Sequence, residues 1–230
     1  MDAVDLIKKC EEDYRFMSHW REIFFEYVVL KFHQPKKIIE VGAGSGAWAQ
    51  TINDLLNYND LQFLLIENYA GPGDEIGYDL PKNELELAEY IRKKTPNLNF
   101  SLSLDYDTDY LGYDVFRYDA WGYTIDKLDL IISNLTNNSI IIFDDFAFNK
   151  DPDLVLMVLT LAKDKKIFPI YASNKISCWS NNQEYSKKII TYLKDNKEFI
   201  VNNTNARFTH VSMWDIEGID LDMILLQVRK

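Results

Sequence analysis

Short apolar runs alternate with amphipathic segments along most of the chain. Near-continuous runs of isoleucine, leucine, valine and phenylalanine are typical of strands buried on both faces, and they predict strands at 36–41, 61–67, 99–104, 114–118 and 139–143. Between these runs, apolar residues recur at three- and four-residue spacing, which predicts helices within 2–32 and at 47–56, 83–94, 124–135, 154–163 and 182–195. Strands that alternate with helices predict an α/β fold, a doubly wound and mostly parallel sheet with helices on both faces.

The C-terminal part of the chain departs from this alternation. Four further apolar runs predict strands, the first two paired around a tight turn, at 166–171, 175–179, 208–214 and 223–228. Antiparallel strands at this C-terminal edge would make the sheet mixed. The pattern thus predicts three parts: an N-terminal helical extension or lid (1–35), a Rossmann-like domain (36–180), and a C-terminal extension packed on the same domain (181–230).

The composition predicts a folded protein with an acidic surface. Hydrophobic residues fill 47% of the 230 positions and charged residues 27%, which suits a globular chain with a sizeable core. The formal net charge of −11 argues against nucleic acids and anionic membranes as partners, because both need basic surfaces. The two cysteines, Cys10 and Cys178, predict reduced thiols in a cytoplasmic protein. No uncharged apolar run approaches the roughly 20 residues of a membrane span.

A glycine-rich turn follows the first predicted strand and leads directly into a helix. Gly42, Gly44 and Gly46 remove side chains where the chain must turn sharply and where a ligand can approach the backbone. Two acids flank this turn: Glu40 just precedes it, and Glu67 ends the second strand about 20 residues after it, where an acid can accept hydrogen bonds from ribose hydroxyls. The arrangement predicts a site for a nucleotide-like ligand.

The glycines alone leave two ligands open. The spacing Gly42-x-Gly44-x-x-Ala47 also satisfies the dinucleotide fingerprint. Glu40 argues against a dinucleotide, because an acid beside a pyrophosphate is repulsive, whereas an acid can receive a cationic amine. A ligand with a ribose and an ammonium group but no phosphate is S-adenosylmethionine.

On these residues the chain resembles the class I S-adenosylmethionine-dependent methyltransferases. Their acid-x-Gly-x-Gly-x-Gly motif corresponds to Glu40-Val-Gly42-Ala-Gly44-Ser-Gly46, and the resemblance spans 36–180. It implies that the turn wraps the methionine part of the cofactor, that Glu67 holds the ribose, and that residues after the third strand contact the adenine. The implied cofactor-binding residues are Glu40, Gly42, Ala43, Gly44, Gly46, Glu67, Leu104, Asp105 and Asp119.

Acids also follow the fourth and fifth predicted strands. Asp119 follows the fourth, and the pair Asp144 and Asp145 follows the fifth. Adjacent strand ends would bring these carboxylates to one rim, where they repel unless a proton or cation intervenes. Oxygen ligands without a nearby Cys or His suit a hard cation such as Mg²⁺ or Ca²⁺, while the simpler alternative is that these acids cap a helix or face solvent.

The acid cluster is similar to that of metal-dependent small-molecule and sugar O-methyltransferases. The resemblance implies that Asp119, Asp144 and Asp145 hold a divalent ion, which binds two vicinal substrate oxygens and lowers the pKa of the one to be methylated. The related sugar enzymes often carry a His three residues after the first Asp, and Gly122 stands at that position here. The catalytic base is therefore unassigned, with Asp119, Tyr123 and His19 as candidates.

Together these features predict a methyltransferase that uses S-adenosylmethionine, with divalent metal assistance, on a hydroxyl of a small molecule or sugar. Trp121 and Tyr123 are expected to flank the acceptor, whereas His33 and His210 are isolated and expected to be structural. Two alternatives stay open, an NAD-dependent oxidoreductase and a catalytically inactive cofactor-binding or regulatory protein. The sequence leaves a homodimer open.

Overall fold

In the computed structural model, seven strands form a single sheet. The structure describes residues 5–9, 20–67, 80–81, 83–105, 110–120, 122–146, 150–172 and 176–204. The strands are Lys37–Val41 (β1), Gln62–Ile66 (β2), Phe100–Ser103 (β3), Val115–Tyr118 (β4), Ile140–Phe143 (β5), Phe168–Ala172 (β6) and Ser177–Ser180 (β7). The helices are Trp20–His33 (α1), Ala47–Leu56 (α2), Glu84–Lys94 (α3), Ile125–Asn134 (α4), Pro152–Lys163 (α5), Gln183–Asp195 (α6) and Lys197–Thr204 (α7).

The strand order is β3-β2-β1-β4-β5-β7-β6, and it confirms the predicted mixed, doubly wound sheet. Strands β1 to β5 pair in parallel, whereas β7 runs antiparallel to both β5 and β6. The direction in which the chain adds strands reverses between β1 and β4. Ligands of open α/β sheets bind at such a reversal, outside the carboxyl ends of the strands.

Helices cover both faces of the sheet because successive strand residues point to opposite sides. On β1, Ile38 faces a core closed by α1, α2, α3 and α6, whereas Ile39 faces a second core closed by α4 and α5. Strands β2 and β5 therefore read as nearly continuous apolar runs, as strands buried on both faces require.

Most predicted elements are present within a few residues of their predicted bounds. The sequence did not predict α7, a helix of eight residues whose Asn202 and Asn203 are weak helix formers. The strands predicted at 208–214 and 223–228 lie outside the described residues. Among the residues that are described, no helix is long and apolar enough to cross a membrane.

Candidate active site

The glycine turn lies at the reversal point and has one packed side and one open side. Gly42 has a φ of +80°, and a Cβ there would lie 1.8 Å from the carbonyl oxygen of Asp119, so the exit of β1 packs directly on the end of β4. Gly44 also has a positive φ, of +54°, but a Cβ added there would meet no atom of the described residues within 4 Å. The backbone at Gly44 thus borders open space in which a ligand can lie.

Backbone hydrogen bonds anchor the turn to the neighbouring strand. The N–H groups of Gly42 and Ala43 donate to the carbonyl of Ile66, at 2.8 and 3.3 Å. Helix α2 begins at Ala47, directly after the turn, so its first unpaired N–H groups lie at this end of the sheet. The turn and helix start form a cradle rich in backbone donors.

Glu67 lies on the open side of the turn, at the end of β2. One oxygen of its carboxylate accepts a hydrogen bond from the N–H of Gly44 at 2.6 Å. Burial raises the pKa of Glu67, and the Gly44 hydrogen bond opposes that shift. The side chain is only partly buried, and its hydrogen bond holds one carboxylate oxygen beside the Gly44 backbone.

Glu40 differs from Glu67 because protein atoms cover it. The residue is 1% exposed, and its Oε1 accepts a hydrogen bond from Arg117 Nη1 at 3.2 Å. Its Oε2 is buried and has no hydrogen-bond partner among the described residues. Burial raises the pKa of Glu40 to about 8, although the Arg117 charge opposes the shift. Contact between Glu40 and a cofactor amine stays a prediction.

Arg117 is a central residue of this site that the sequence analysis missed. It lies in β4 directly opposite Glu40 of β1, and its side chain is 1% exposed. Its Nη1 also lies 3.2 Å from Asp119 Oδ2, and its Nη2 lies 2.6 Å from Asp144 Oδ2. Burial acts to lower the pKa of Arg117, but the surrounding carboxylates raise it above its ordinary value, so the guanidinium stays charged.

Helix α1 contributes Glu26 to the buried charge network around Arg117. Glu26 is 2% exposed, and its Oε1 lies 3.9 Å from Arg117 Nε. The indole N–H of Trp48, at the start of α2, donates to Glu26 Oε2 at 2.5 Å, and the Trp48 ring centre lies 4.8 Å from Arg117 Cζ. Both Glu26 and Arg117 are single charges within apolar runs, and that pattern is the signal that could have identified them.

The structure brings the predicted metal ligands to one rim but engages each of them with a basic side chain. Asp119 and Asp144 bind Arg117, and Asp145 pairs with Lys150 at the surface. Among the described residues, no group of three or more His, Cys, Asp or Glu could hold a metal ion. As arranged here, the three acids do not fit a divalent cation.

Asp119 is the member of this cluster that solvent reaches. Its side chain is 38% exposed, whereas that of Asp144 is 9% exposed. Burial raises the pKa of Asp119, the Arg117 charge opposes the shift, and Asp144 and Asp145 reinforce it. Solvent at the exposed part of the side chain moderates this shift.

Tyr123 is built into the packing below the rim. Its hydroxyl lies 3.0 Å from the hydroxyl of Tyr110, its backbone N–H donates to Tyr118 Oη at 3.3 Å, and it is 7% exposed. These contacts favour a structural role for Tyr123 over that of a base. The other catalytic candidate, His19, and the expected acceptor neighbour Trp121 lie outside the described residues.

The predicted adenine contacts follow β3, which is next to β2. Leu104 is partly buried against the core, and the N–H of Asp105 donates a hydrogen bond to Ser103 Oγ at 3.1 Å. Both residues lie on the same edge of the sheet as Glu67, and their contact with a cofactor stays a prediction.

His33 lies at the opposite end of the sheet. Its Nδ1 is 2.8 Å from Tyr185 Oη, and its Nε2 is 3.2 Å from the carbonyl oxygen of Asp114, the residue before β4. Burial lowers the pKa of His33, which favours the neutral ring. These contacts tie α1 to α6 and β4, in keeping with the expected structural role.

Several solved structures with this fold are methyltransferases. A methyltransferase from Podospora anserina with S-adenosylhomocysteine bound is 16% identical, with a TM-score of 0.55 over 78% of this chain and 87% of that one. An O-methyltransferase from Bacillus cereus, also with S-adenosylhomocysteine, is 10% identical, with a TM-score of 0.55 over 78% and 91% of the two chains. A methyltransferase from Geobacter sulfurreducens is 11% identical, with a TM-score of 0.55 over 78% and 89%.

These likenesses define the class of fold. The chain has the class I fold of S-adenosylmethionine-dependent methyltransferases, as its glycine motif predicts. At such low identity, similarity of structure shows the fold, and function has to be argued from the site. No protein-family model matches the sequence, and no curated protein matches it either.

Proposed function

We propose that the protein transfers a methyl group from S-adenosylmethionine to a hydroxyl of a small molecule or sugar. The observation that carries the proposal is the open side of the glycine turn, where Gly44 borders free space and the Glu67 carboxylate lies 2.6 Å from its N–H. A carboxylate at the end of β2 suits the two hydroxyls of a ribose. The methyltransferases that share the fold support the same reading.

The charges around the turn favour this cofactor over a dinucleotide. Four acidic side chains, those of Glu26, Glu40, Asp119 and Asp144, surround one guanidinium at the reversal point. A pyrophosphate placed there would meet excess negative charge, whereas S-adenosylmethionine carries positive charge and no phosphate. When bound, S-adenosylmethionine would supply an electrophilic methyl group attached to its sulfonium sulfur.

The residues of this chain would bind and orient the reactants. Glu67 would accept from the ribose, and the N–H groups of the turn and of α2 would face the rest of the cofactor. Asp119 is the proposed general base, because its side chain reaches solvent and its raised pKa suits proton transfer near neutral pH. The proposed reaction has no step through a metal ion, since Arg117 already binds Asp119 and Asp144.

Calorimetric titration with S-adenosylhomocysteine and then with NADH tests the proposal. Heat with the first ligand and none with the second supports it. No heat and no thermal shift with S-adenosylhomocysteine, in a protein whose circular dichroism shows it folded, would contradict it. If the cofactor product binds, a screen of sugar and phenolic acceptors with labelled S-adenosylmethionine follows, with Asp119→Asn as the variant expected to bind cofactor but lose turnover.

A further inference from the structure

Arg117 lies between two of the acids that the sequence analysis predicts as metal ligands. The carboxyl ends of β4 and β5 supply Asp119 and Asp144, and the guanidinium lies between them, with N–O distances of 3.2 and 2.6 Å. It reaches Glu40 of β1 from the same nitrogen that contacts Asp119. One charged side chain therefore joins three neighbouring strand ends.

The contacts of the guanidinium are those expected of a resident cation. It is a planar group with several donors and a permanent charge, which suits it to bind carboxylates in a dry environment. Trp48 stacks near it at 4.8 Å, and Glu26 approaches it from α1 at 3.9 Å. The Arg117 side chain is 1% exposed, so the guanidinium is shielded from solvent within the cluster.

We propose that Arg117 takes the place of a divalent ion in the acid cluster, so that the site neither binds nor requires one. A metal ion would have to displace the guanidinium or lie beside it. A divalent cation directly next to the guanidinium would be repelled by its positive charge. The third predicted ligand, Asp145, turns instead to the exposed Lys150. The proposal concerns only the cluster and does not depend on the identity of the acceptor.

In this arrangement Arg117 is a positioning residue. It holds the side-chain carboxylate of Asp119, and the backbone carbonyl oxygen of the same residue packs on Gly42. Arg117 thereby helps to fix the packed side of the glycine turn. It touches no reacting atom. Loss of Arg117 should loosen the junction of β1, β4 and β5 and leave the carboxylates without their cation.

Mn²⁺ titration monitored by electron paramagnetic resonance tests the wild-type protein directly. We expect no Mn²⁺ site in the micromolar range, and an S-adenosylhomocysteine affinity that is the same in EDTA and in excess Mg²⁺. A stoichiometric Mn²⁺ site that disappears in Asp144→Asn would overturn the proposal. Mn²⁺ binding is measured without the cofactor, so it tests this proposal alone. Failure of the methyltransferase proposal would instead show as an absence of S-adenosylhomocysteine binding.

Removal of the guanidinium should create the metal site. In Arg117→Met we expect Mn²⁺ affinity to rise by about tenfold or more over wild type, and Mn²⁺ to raise the melting temperature of the variant. Lys150→Met is the matched control, because it frees only the exposed Asp145 and should leave Mn²⁺ binding unchanged. A folded Arg117→Met protein that binds no more Mn²⁺ than wild type would show that Arg117 does not block the site.

A charge-balanced variant covers the case in which Arg117→Met does not fold. The pair Arg117→Met with Glu40→Gln removes one charge of each sign and leaves Asp119 and Asp144 as ligands. We expect the same gain in Mn²⁺ affinity from this protein. Absence of that gain would contradict the proposal as well.

Discussion

The two sides of the glycine turn use the same kinds of residue for different purposes. On the closed side, Gly42 packs against the Asp119 carbonyl and Glu40 is held under Arg117. On the open side, no described atom fills the space at Gly44, and Glu67 accepts a hydrogen bond from a backbone N–H in a partly buried setting. A glycine and a strand-end acid thus serve packing on one side and ligand access on the other. Sequence spacing makes these pairs look equivalent, and burial separates them.

The largest effect should come from the glycine on the closed side. Gly42→Ala places a Cβ 1.8 Å from a backbone oxygen at a φ of +80°, and neither atom can move without shifting β1 or β4. We expect the free energy of unfolding to fall by about 3 kcal/mol or more. Gly44→Ala, which meets no atom, should cost only about 1 kcal/mol. Urea denaturation measures the free energy of unfolding of the two variants. Similar losses in Gly42→Ala and Gly44→Ala would contradict the difference in packing between the closed and open sides of the turn.

The closed side should also govern how stability depends on pH. Burial raises the pKa of Glu40 from an ordinary 4.5 to about 8 in the folded protein. The Arg117 charge opposes this shift, whereas the acids Asp119, Glu26 and Glu67 add to it. The folded state holds the proton more tightly, so the stability contributed by this group is fully present below pH 4.5 and is lost as the pH rises through 8.

Urea denaturation between pH 5 and about 9 checks this linkage. We expect the free energy of unfolding of the wild type to decrease by a few kcal/mol over that interval. Glu40→Gln removes one titrating group and should reduce the slope, while Asp119, whose pKa burial also raises, keeps part of it. An unchanged slope in Glu40→Gln would show that Glu40 is already ionised in the folded protein.

The contact of the closed side with α1 should give a smaller effect. Trp48 donates to the buried carboxylate of Glu26 at 2.5 Å, whereas Trp179 donates to the hydroxyl of Ser177 at 2.9 Å. Both indoles are buried, so Trp48→Phe and Trp179→Phe lose similar volume. We expect Trp48→Phe to cost about 1 kcal/mol more, because a hydrogen bond to a charged group is the stronger one. Equal losses of stability in thermal denaturation would show that the hydrogen bond between Trp48 and Glu26 adds no extra stability.

The smallest effect should come from an acid that the sequence grouped with the cluster. Asp145→Asn removes a surface pair with Lys150 and should change stability by less than about 0.5 kcal/mol. Asp144→Asn removes a carboxylate from the buried Arg117 and should cost about 2 to 3 kcal/mol. The order of these two values in denaturant unfolding is the check, and a reversed order would contradict the described network.

The sequence predicted the features of the site that local patterns encode. The alternation of runs predicted the parallel sheet, and adjacency of β4 and β5 placed Asp119 and Asp144 on one rim. Glycine spacing and Glu67 predicted the turn and its acid. Each of these depends on residues close in sequence or on one rule about strand ends.

Arg117 and Glu26 could not be placed in the same way. Their interaction depends on β4 lying beside β1 and on α1 lying over both, and neither follows from the order of elements along the chain. A charge inside a buried strand signals that a partner exists, because an unpaired one is costly, but the signal does not name the partner. The sequence therefore predicts a metal ion as the cation between these acids, whereas in the structure the Arg117 guanidinium contacts Asp119 and Asp144.

The central claim is that the Glu67 carboxylate, on the open side of this turn, meets the ribose of the ligand. Calorimetric titration with S-adenosylhomocysteine of the wild type, Glu67→Gln and Glu40→Gln tests it directly. Loss of hydrogen bonds from a carboxylate to the ribose should weaken binding by about 10- to 100-fold in Glu67→Gln, with Glu40→Gln within about threefold of wild type. Unchanged affinity in a folded Glu67→Gln protein, with binding lost in Glu40→Gln, would contradict the account.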